Sequence, residues 1–397
     1  MRPLRLRQAA FHLLPLLAAA CAATAGHDGT QPIPNTFTRT WVRAGEMTAD
    51  FELEVPVTGR YRCELDVEVT QGAVVWLEAY PDNADGRTYD ITGPIHTPGG
   101  AHTLVREGSP LAAGTIPVRL HAGGEACVVR DVRLTLLRPH VETPQTLVQS
   151  TEGSSWELAW ADEFDGEGLP DPAKWTHDLG NWGWGNKELQ YYTEDSTANA
   201  RQEGGRLVIE AHPVDGGASW TSARLTTRGK VAFQYGRIEI RAKVPATDGT
   251  WAAGWTLGDA YRDELSWPYC GEIDICEAVG REIDDATGDG INHASCHTRA
   301  YYFKQGNHIS NVLPVADMSE AFHDYVCEWD EGEVRMYVDG EHYYTYDKTA
   351  DALEWPFAEP QCLILNLAMG GGMGGPVAAD AGPQRFEIEH VRVYERR

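Results

Sequence analysis

The chain has 397 residues and a formal net charge of −26 at pH 7. That length holds two or three domains and leaves ample room for large cores. The charge argues against a nucleic-acid partner, an anionic membrane surface or an acidic polysaccharide; a neutral polymer suits it.

Residues 1–25 read as an export signal. A basic start (Arg2, Arg5, Arg7) precedes the apolar run Ala9 to Ala23, with small residues for cleavage after Ala20 or Ala25. Cys21, following Ala18-Ala19-Ala20, is an alternative lipid acceptor, so the expected location is secreted or cell-surface. Seven cysteines remain after Cys21, and an oxidising compartment makes a disulfide plausible. Cys63 and Cys127 stand alone in the first domain and form the best candidate pair.

Residues 26–36 read as a linker. Residues 37–139 then alternate apolar and polar side chains in short runs, as in Phe51-Glu-Leu-Glu-Val55 and Val132-Arg-Leu-Thr-Leu136. Turn signals at Thr58-Gly59 and Pro98-Gly99-Gly100 separate them, which predicts a β-sandwich. Trp76, Tyr80 and Tyr89 are its candidate sugar-stacking aromatics. Residues 140–154 are polar and predict a second linker. From residue 155 to 397 strands and turns resume. The Asp339-Gly340 pair marks a hairpin, and neither a sustained helical period nor a Gly-rich nucleotide fingerprint occurs. The fold class is all-β, with two β-sandwich domains.

The stretch Gly271-Glu-Ile-Asp-Ile-Cys-Glu277 places three carboxylates within six residues of a predicted strand. Strand alternation puts Glu272 and Asp274 on one face and sends Glu277 to the other. One extra residue, a β-bulge, returns Glu277 to the shared face, and such bulges cluster beside active sites. Two carboxyls about 5–5.5 Å apart are the pair a retaining glycosidase uses, one as nucleophile and one as acid/base. The third acid would help keep a proton on one of them. Taken alone, the three acids are more often a solvated face or half a calcium site. Cys276, inside the strand, reads as packing.

The neighbouring motifs carry a resemblance. Gly249-Thr-Trp-Ala-Ala-Gly-Trp255, Trp267-Pro268 and the acidic strand resemble the signature of glycoside hydrolase family 16, in its bulged, laminarinase-like branch. The similarity extends from about Trp156 onward through Trp184-Gly-Asn186, Thr221-Ser-Ala-Arg224 and Asn366-Leu-Ala368. It implies a concanavalin-like jelly roll with an open cleft, and an endo-acting β-1,3-glucanase that works with retention on a neutral β-glucan. By motif position Glu272 is the nucleophile, Glu277 the acid/base and Asp274 their tuner. Eleven of the thirteen tryptophans lie from Trp156 onward, and flat aromatic faces suit sugars. Trp251, Trp255 and Trp267 are therefore expected in the cleft, with His297, Arg224 and Asn199 as hydrogen-bonding partners. The family often holds one structural calcium, and its ligands here would be Glu163, Glu389 and the Gly205 carbonyl. Where many relatives carry an Asn-Trp pair this chain has Gly372-Met373, which removes a stacking surface. The first domain loosely resembles carbohydrate-binding modules, and the protein is expected to be a monomer. The competing readings are a mixed-linkage glucanase, another β-glycanase of the family, and a non-catalytic glucan-binding lectin. Retention of all three acids disfavours the lectin.

Overall fold

Apolar alternation shapes both domains. In the strand Gly59–Val69 every second side chain from Tyr61 onward is buried, while Arg62, Glu64 and Asp66 between them stay partly exposed. The computed structural model describes residues 33–35, 40–42, 48–69, 72–81, 89–123, 127–214 and 219–397. The expected export signal and Cys21 lie outside them.

The N-terminal sandwich packs two sheets face to face. One contains Ile33–Asn35, Cys127–Pro139, Gly59–Val69 and Gly100–Leu111, with Thr40–Val42 beside Cys127–Pro139. The other contains Thr48–Val55, Gly114–Gly123, Ala73–Ala79 and Tyr89–Asp90, with Ile95–Thr97 beside Ala73–Ala79. Ile33–Asn35 pairs with Val132–Leu134, so the sheet begins inside the stretch expected to be a linker. Cys63 and Cys127 do not bridge. The register sets Cys127 opposite Val69, six residues along the strand from Cys63. That is about 20 Å, far beyond disulfide reach. Tyr89 is in the core, and Tyr80 packs against that core and meets Tyr89 edge-on. Trp76 remains on the outer face, stacked on His121 at 4.5 Å.

Residues 140–154 are not a free linker. Thr146–Val148 pairs in parallel with Ala232–Gln234, Thr143 donates to Asp259 (2.6 Å), and Glu142 meets Arg262 (2.9 Å). Backbone groups that water would otherwise hold are taken up by the second domain, so the segment lies along it.

The C-terminal sandwich stacks two larger, mainly antiparallel sheets. The sheet that bears the acidic strand runs Ala232–Gln234, Gln361–Met369, Thr250–Gly258, Glu272–Val279, Gly290–His297, Ile309–Val315. The opposite sheet is centred on Leu207–Val214, Gln384–Arg396, Gly236–Lys243 and His323–Trp329. Between them lies a core that includes Ile273, Ile275, Phe233, Ile240, Tyr325 and Leu365. Gly371–Gly374, a single turn, is the one α-helical segment among the described residues.

Candidate active site

The bulge is present, and it sits at Ile275. Asp274 pairs with Trp255 and Cys276 with Gly254, so Ile275 has no partner in that register. Ile275 and Cys276 consequently both face the core, 1% and 0% exposed. Glu272, Asp274 and Glu277 all line one cavity on the other side of the sheet. Pairing with Gly290–His297 stops after Asp274. The Asn292 side chain takes over: its Oδ1 accepts from the Glu277 backbone N–H (3.1 Å) and its Nδ2 donates to the Ile275 carbonyl (3.1 Å). A bulge leaves ladder groups unmatched, and buried unmatched groups are costly. Asn292, fully buried, resolves that cost. Sequence reasoning passed over it because it is 15 to 17 residues away.

Each carboxyl has its own partner. The Trp267 indole N–H donates to Glu272 Oε2 (2.8 Å) and the Trp251 indole N–H to Glu277 Oε1 (3.0 Å). The Ser295 hydroxyl donates to Asp274 Oδ2 (2.6 Å). His297 Nε2 lies 3.4 Å from Asp274 Oδ2 and 3.7 Å from Glu272 Oε1. Burial, then His308, lowers the imidazole to about 3, so His297 is neutral at the site.

The acids themselves are pushed up. Burial, then the Asp274 charge, raises Glu277 to about 8. Burial raises Asp274 to about 7 against the Ser295 hydrogen bond. Burial and Asp274 lift Glu272 well above the usual carboxylate range, opposed by the Trp267 N–H and by Arg224. The three titrate as one coupled set, so the cluster retains protons at neutral pH. Beyond burial, Asp274 and Glu277 both push Glu272 up, with the Trp267 N–H and Arg224 opposing them; Asp274 and Glu282 push Glu277 up, with the Trp251 N–H opposing. Both glutamates are raised, so the division of roles between them rests on motif position and not on these shifts.

Trp251, Trp255, Trp267 and Arg224 line the cavity as expected from the motifs, together with Trp182, Trp184, Tyr261, Phe303, Lys304 and Asn366. Asn366 Oδ1 accepts from the Trp255 indole (2.7 Å) and fixes that ring. His297 touches the carboxylates from behind, not from among the lining residues. Glu188 was missed. It lines the cavity, accepts from Gln190 (2.6 Å), and burial raises it to about 7.

Asn199 does not reach the cleft. It is 3% exposed, donates to the Glu210 carbonyl (2.9 Å), and accepts from Thr193 and Ser196, so it is a turn-holding residue. The two carboxylates expected to hold calcium are both met by arginines. Glu163 gives both oxygens to Arg392 (2.8 and 2.8 Å), and Glu389 accepts from Arg241 Nε (2.7 Å). Gly205 occupies a turn with φ +73°. Calcium needs uncommitted oxygens, and here guanidinium groups already meet both carboxylates. These residues do not fit the ion.

The family model described as "Glycosyl hydrolases family 16" matches residues 179–392. The chain belongs to glycoside hydrolase family 16. Within it the chain is similar to the beta-glucanase of Rhodothermus marinus, 44% identical over 256 residues, which are 62% of this chain and 87% of that protein. The solved laminarinase from the same organism superposes with a TM-score of 0.56 over 61% of this chain and 98% of its own. The laminarinase catalytic domain of Thermotoga maritima is 41% identical, with a TM-score of 0.55 over 62% of this chain and all of its own. SCLam, a non-specific endo-beta-1,3(4)-glucanase, is 36% identical, with a TM-score of 0.56 over 63% of this chain and 96% of its own. The family-16 sandwich is thus a laminarinase-like glycoside hydrolase.

Proposed function

We propose that this glycoside hydrolase is an endo-acting, retaining β-1,3-glucanase. The observation that carries the reading is the bulge at Ile275, which turns Glu272 and Glu277 into the same cavity. Glu272, held by the Trp267 N–H and facing Arg224, attacks the anomeric carbon. Glu277, kept protonated by burial and by Asp274, gives its proton to the departing glycosidic oxygen. It then takes a proton from the incoming water, which releases the sugar with its original configuration. Asp274, its Oδ2 held by the Ser295 hydroxyl, is the charge that raises both glutamates and so helps keep the proton on Glu277.

Reducing-sugar release from laminarin tests the activity. Azide tests the roles with an activated β-glycoside. In Glu272→Ala azide replaces the nucleophile and gives the α-glycosyl azide. In Glu277→Ala it intercepts the glycosyl-enzyme and gives the β-azide. The opposite pattern would exchange the two roles.

A mixed-linkage specificity is the second reading, supported by the similarity to SCLam. The product profile on laminarin and on barley glucan separates the two. We also propose export on the strength of residues 1–25, with Cys21 as the lipid acceptor if cleavage falls before it. Mass spectrometry of the mature N-terminus decides between a free and a lipidated chain. A monomer is expected to elute at 43.8 kDa or slightly less in size-exclusion chromatography.

A further inference from the structure

The other domain helps to build one wall of the cleft. The segment from Asp178 to Trp184 runs between the N-terminal sandwich and the cavity. The two backbones meet at Gly108 (φ +86°) and Gly180 (φ +119°): a Cβ at Gly108 would collide with the Leu179 carbonyl, and one at Gly180 with the Glu107 carbonyl. The Asn181 N–H donates to the Glu107 carbonyl (2.9 Å), and Asn181 Oδ1 accepts from the Glu107 N–H (3.0 Å). The Tyr191 hydroxyl donates to Glu107 Oε2 (2.6 Å). Such backbone-to-backbone contact fixes the segment against the N-terminal domain.

From that domain Arg60 reaches across. Its guanidinium lies 5.6 Å from the Trp184 ring, and its Nη2 donates to Asp178 Oδ1 (2.9 Å). The second oxygen of Asp178 accepts from Arg224 Nε (3.0 Å). Arg224 in turn lies between two cleft tryptophans, 4.9 Å from the Trp184 ring and 4.7 Å from the Trp255 ring. The three charged side chains are only 15%, 13% and 11% exposed. Burial by itself would raise the Asp178 carboxyl; Arg60, then Arg224 and Arg228, outweigh it and hold it below the usual range. One buried carboxylate is thus divided between two guanidinium groups. Among the described residues Arg224 makes no side-chain hydrogen bond except through Nε, so its two terminal nitrogens remain for whatever fills the cleft.

We propose that Arg60 is a positioning residue for substrate binding. By occupying Asp178 Oδ1 it prevents Asp178 from taking Arg224 as a two-pronged pair, the arrangement a carboxylate and a guanidinium otherwise prefer. The terminal nitrogens of Arg224 then stay free to donate to sugar hydroxyls. The N-terminal sandwich is on this account part of the sugar-binding wall, and Arg60 lies outside the stretch that the family model matches. The inference rests on the reading of the cavity as a β-glucan cleft.

Steady-state kinetics of the full chain on a series of β-1,3-oligosaccharides test it. Arg60→Ala is expected to raise KM by about tenfold, the size of one lost hydrogen bond from a charged donor, with kcat changed less than KM. Arg60→Lys keeps one donor for Asp178 and is expected to recover most of the loss. Arg224→Ala raises KM similarly, and the double variant is no worse than Arg224→Ala alone, because both changes remove the same contact. If Arg60→Ala does not accumulate folded, Arg60→Met carries the same cycle, since its chain still covers Trp184. A folded Arg60 variant with lowered Tm and unchanged KM, or KM effects that simply multiply in the double variant, overturns the proposal. An Arg224→Ala variant with unchanged KM on every β-glucan overturns the reading of this wall as a sugar site. An effect at Arg224 with none at Arg60 overturns the role of Arg60 alone.

Discussion

Two groups of carboxylates lie on opposite sides of the C-terminal sandwich: in one Glu163 and Glu239 are lowered, in the other all three acids are raised. Away from the cleft, Glu163 is forked onto Arg392, Glu389 is held by Arg241, and Glu239 meets His390 and Arg237. The His390 contact, with Arg237, outweighs burial and lowers Glu239 to about 2. In the cleft, Glu272, Asp274 and Glu277 make no ion pair with lysine or arginine among the described residues, and all three are raised. The residue types are the same. What differs is a cation at hydrogen-bonding distance on one side, and on the other burial with only neutral donors. A hydrolase needs a proton to give away, and withholding the cation is how this sheet keeps one.

The largest break in that contrast comes from removing the acids. Glu272→Gln and Glu277→Gln should each lower kcat/KM on laminarin by about 10³-fold or more while binding persists, as reducing-sugar assays and calorimetry would show. Retained activity in both would end the glycosidase assignment for this strand.

Asn292→Ala comes next. It strips partners from two buried backbone groups at the bulge, so a loss of about 2–3 kcal/mol in urea unfolding is expected, with a fall in kcat as Glu277 loses its aim. Unchanged stability would mean that the bulge supports itself.

The pH dependence sharpens the contrast. With Glu277, raised to about 8, in its proposed role as the acid, kcat/KM should fall as pH rises through that value. The Trp251 N–H favours the ionised form, and Trp251→Phe should therefore move the alkaline limb upward, by about one unit. Stability should follow the same signs. A folded pKa above the unfolded one means stability present at low pH and lost as pH rises, here from about 4.5 towards 8 for Glu277. Glu239 is the reverse, losing its contribution as pH falls from 4.5 towards about 2. Glu277→Gln should accordingly unfold at a higher temperature than the parent at pH 8 and show little difference at pH 4.5.

The smallest effect is expected on the side away from the cleft. EDTA should leave the melting temperature unchanged, because arginines hold Glu163 and Glu389. Arg392→Ala should cost no more than about 1 kcal/mol, since that pair is partly exposed. A clear drop in melting temperature with EDTA would restore the calcium expectation.

The sequence by itself determined the two sandwiches, since strand alternation and turn residues are local and frequent. It also determined the bulge, because three acids at 272, 274 and 277 can share a face only if one residue is surplus. The cleft tryptophans were readable for the same reason: Trp251, Trp255 and Trp267 stand on the acidic strand's neighbour or just before it. Tertiary structure alone decided which polar side chain answers which. Asn199 turned out to hold a turn, Asn292 to secure the bulge, and Arg392, 229 residues from Glu163, to grip that carboxylate. Arg60, 118 residues from Asp178, follows the same rule across a domain boundary. Backbone pattern is set by nearest neighbours along the chain, whereas the partner of a charge is set by whatever folding brings within about 3 Å of it.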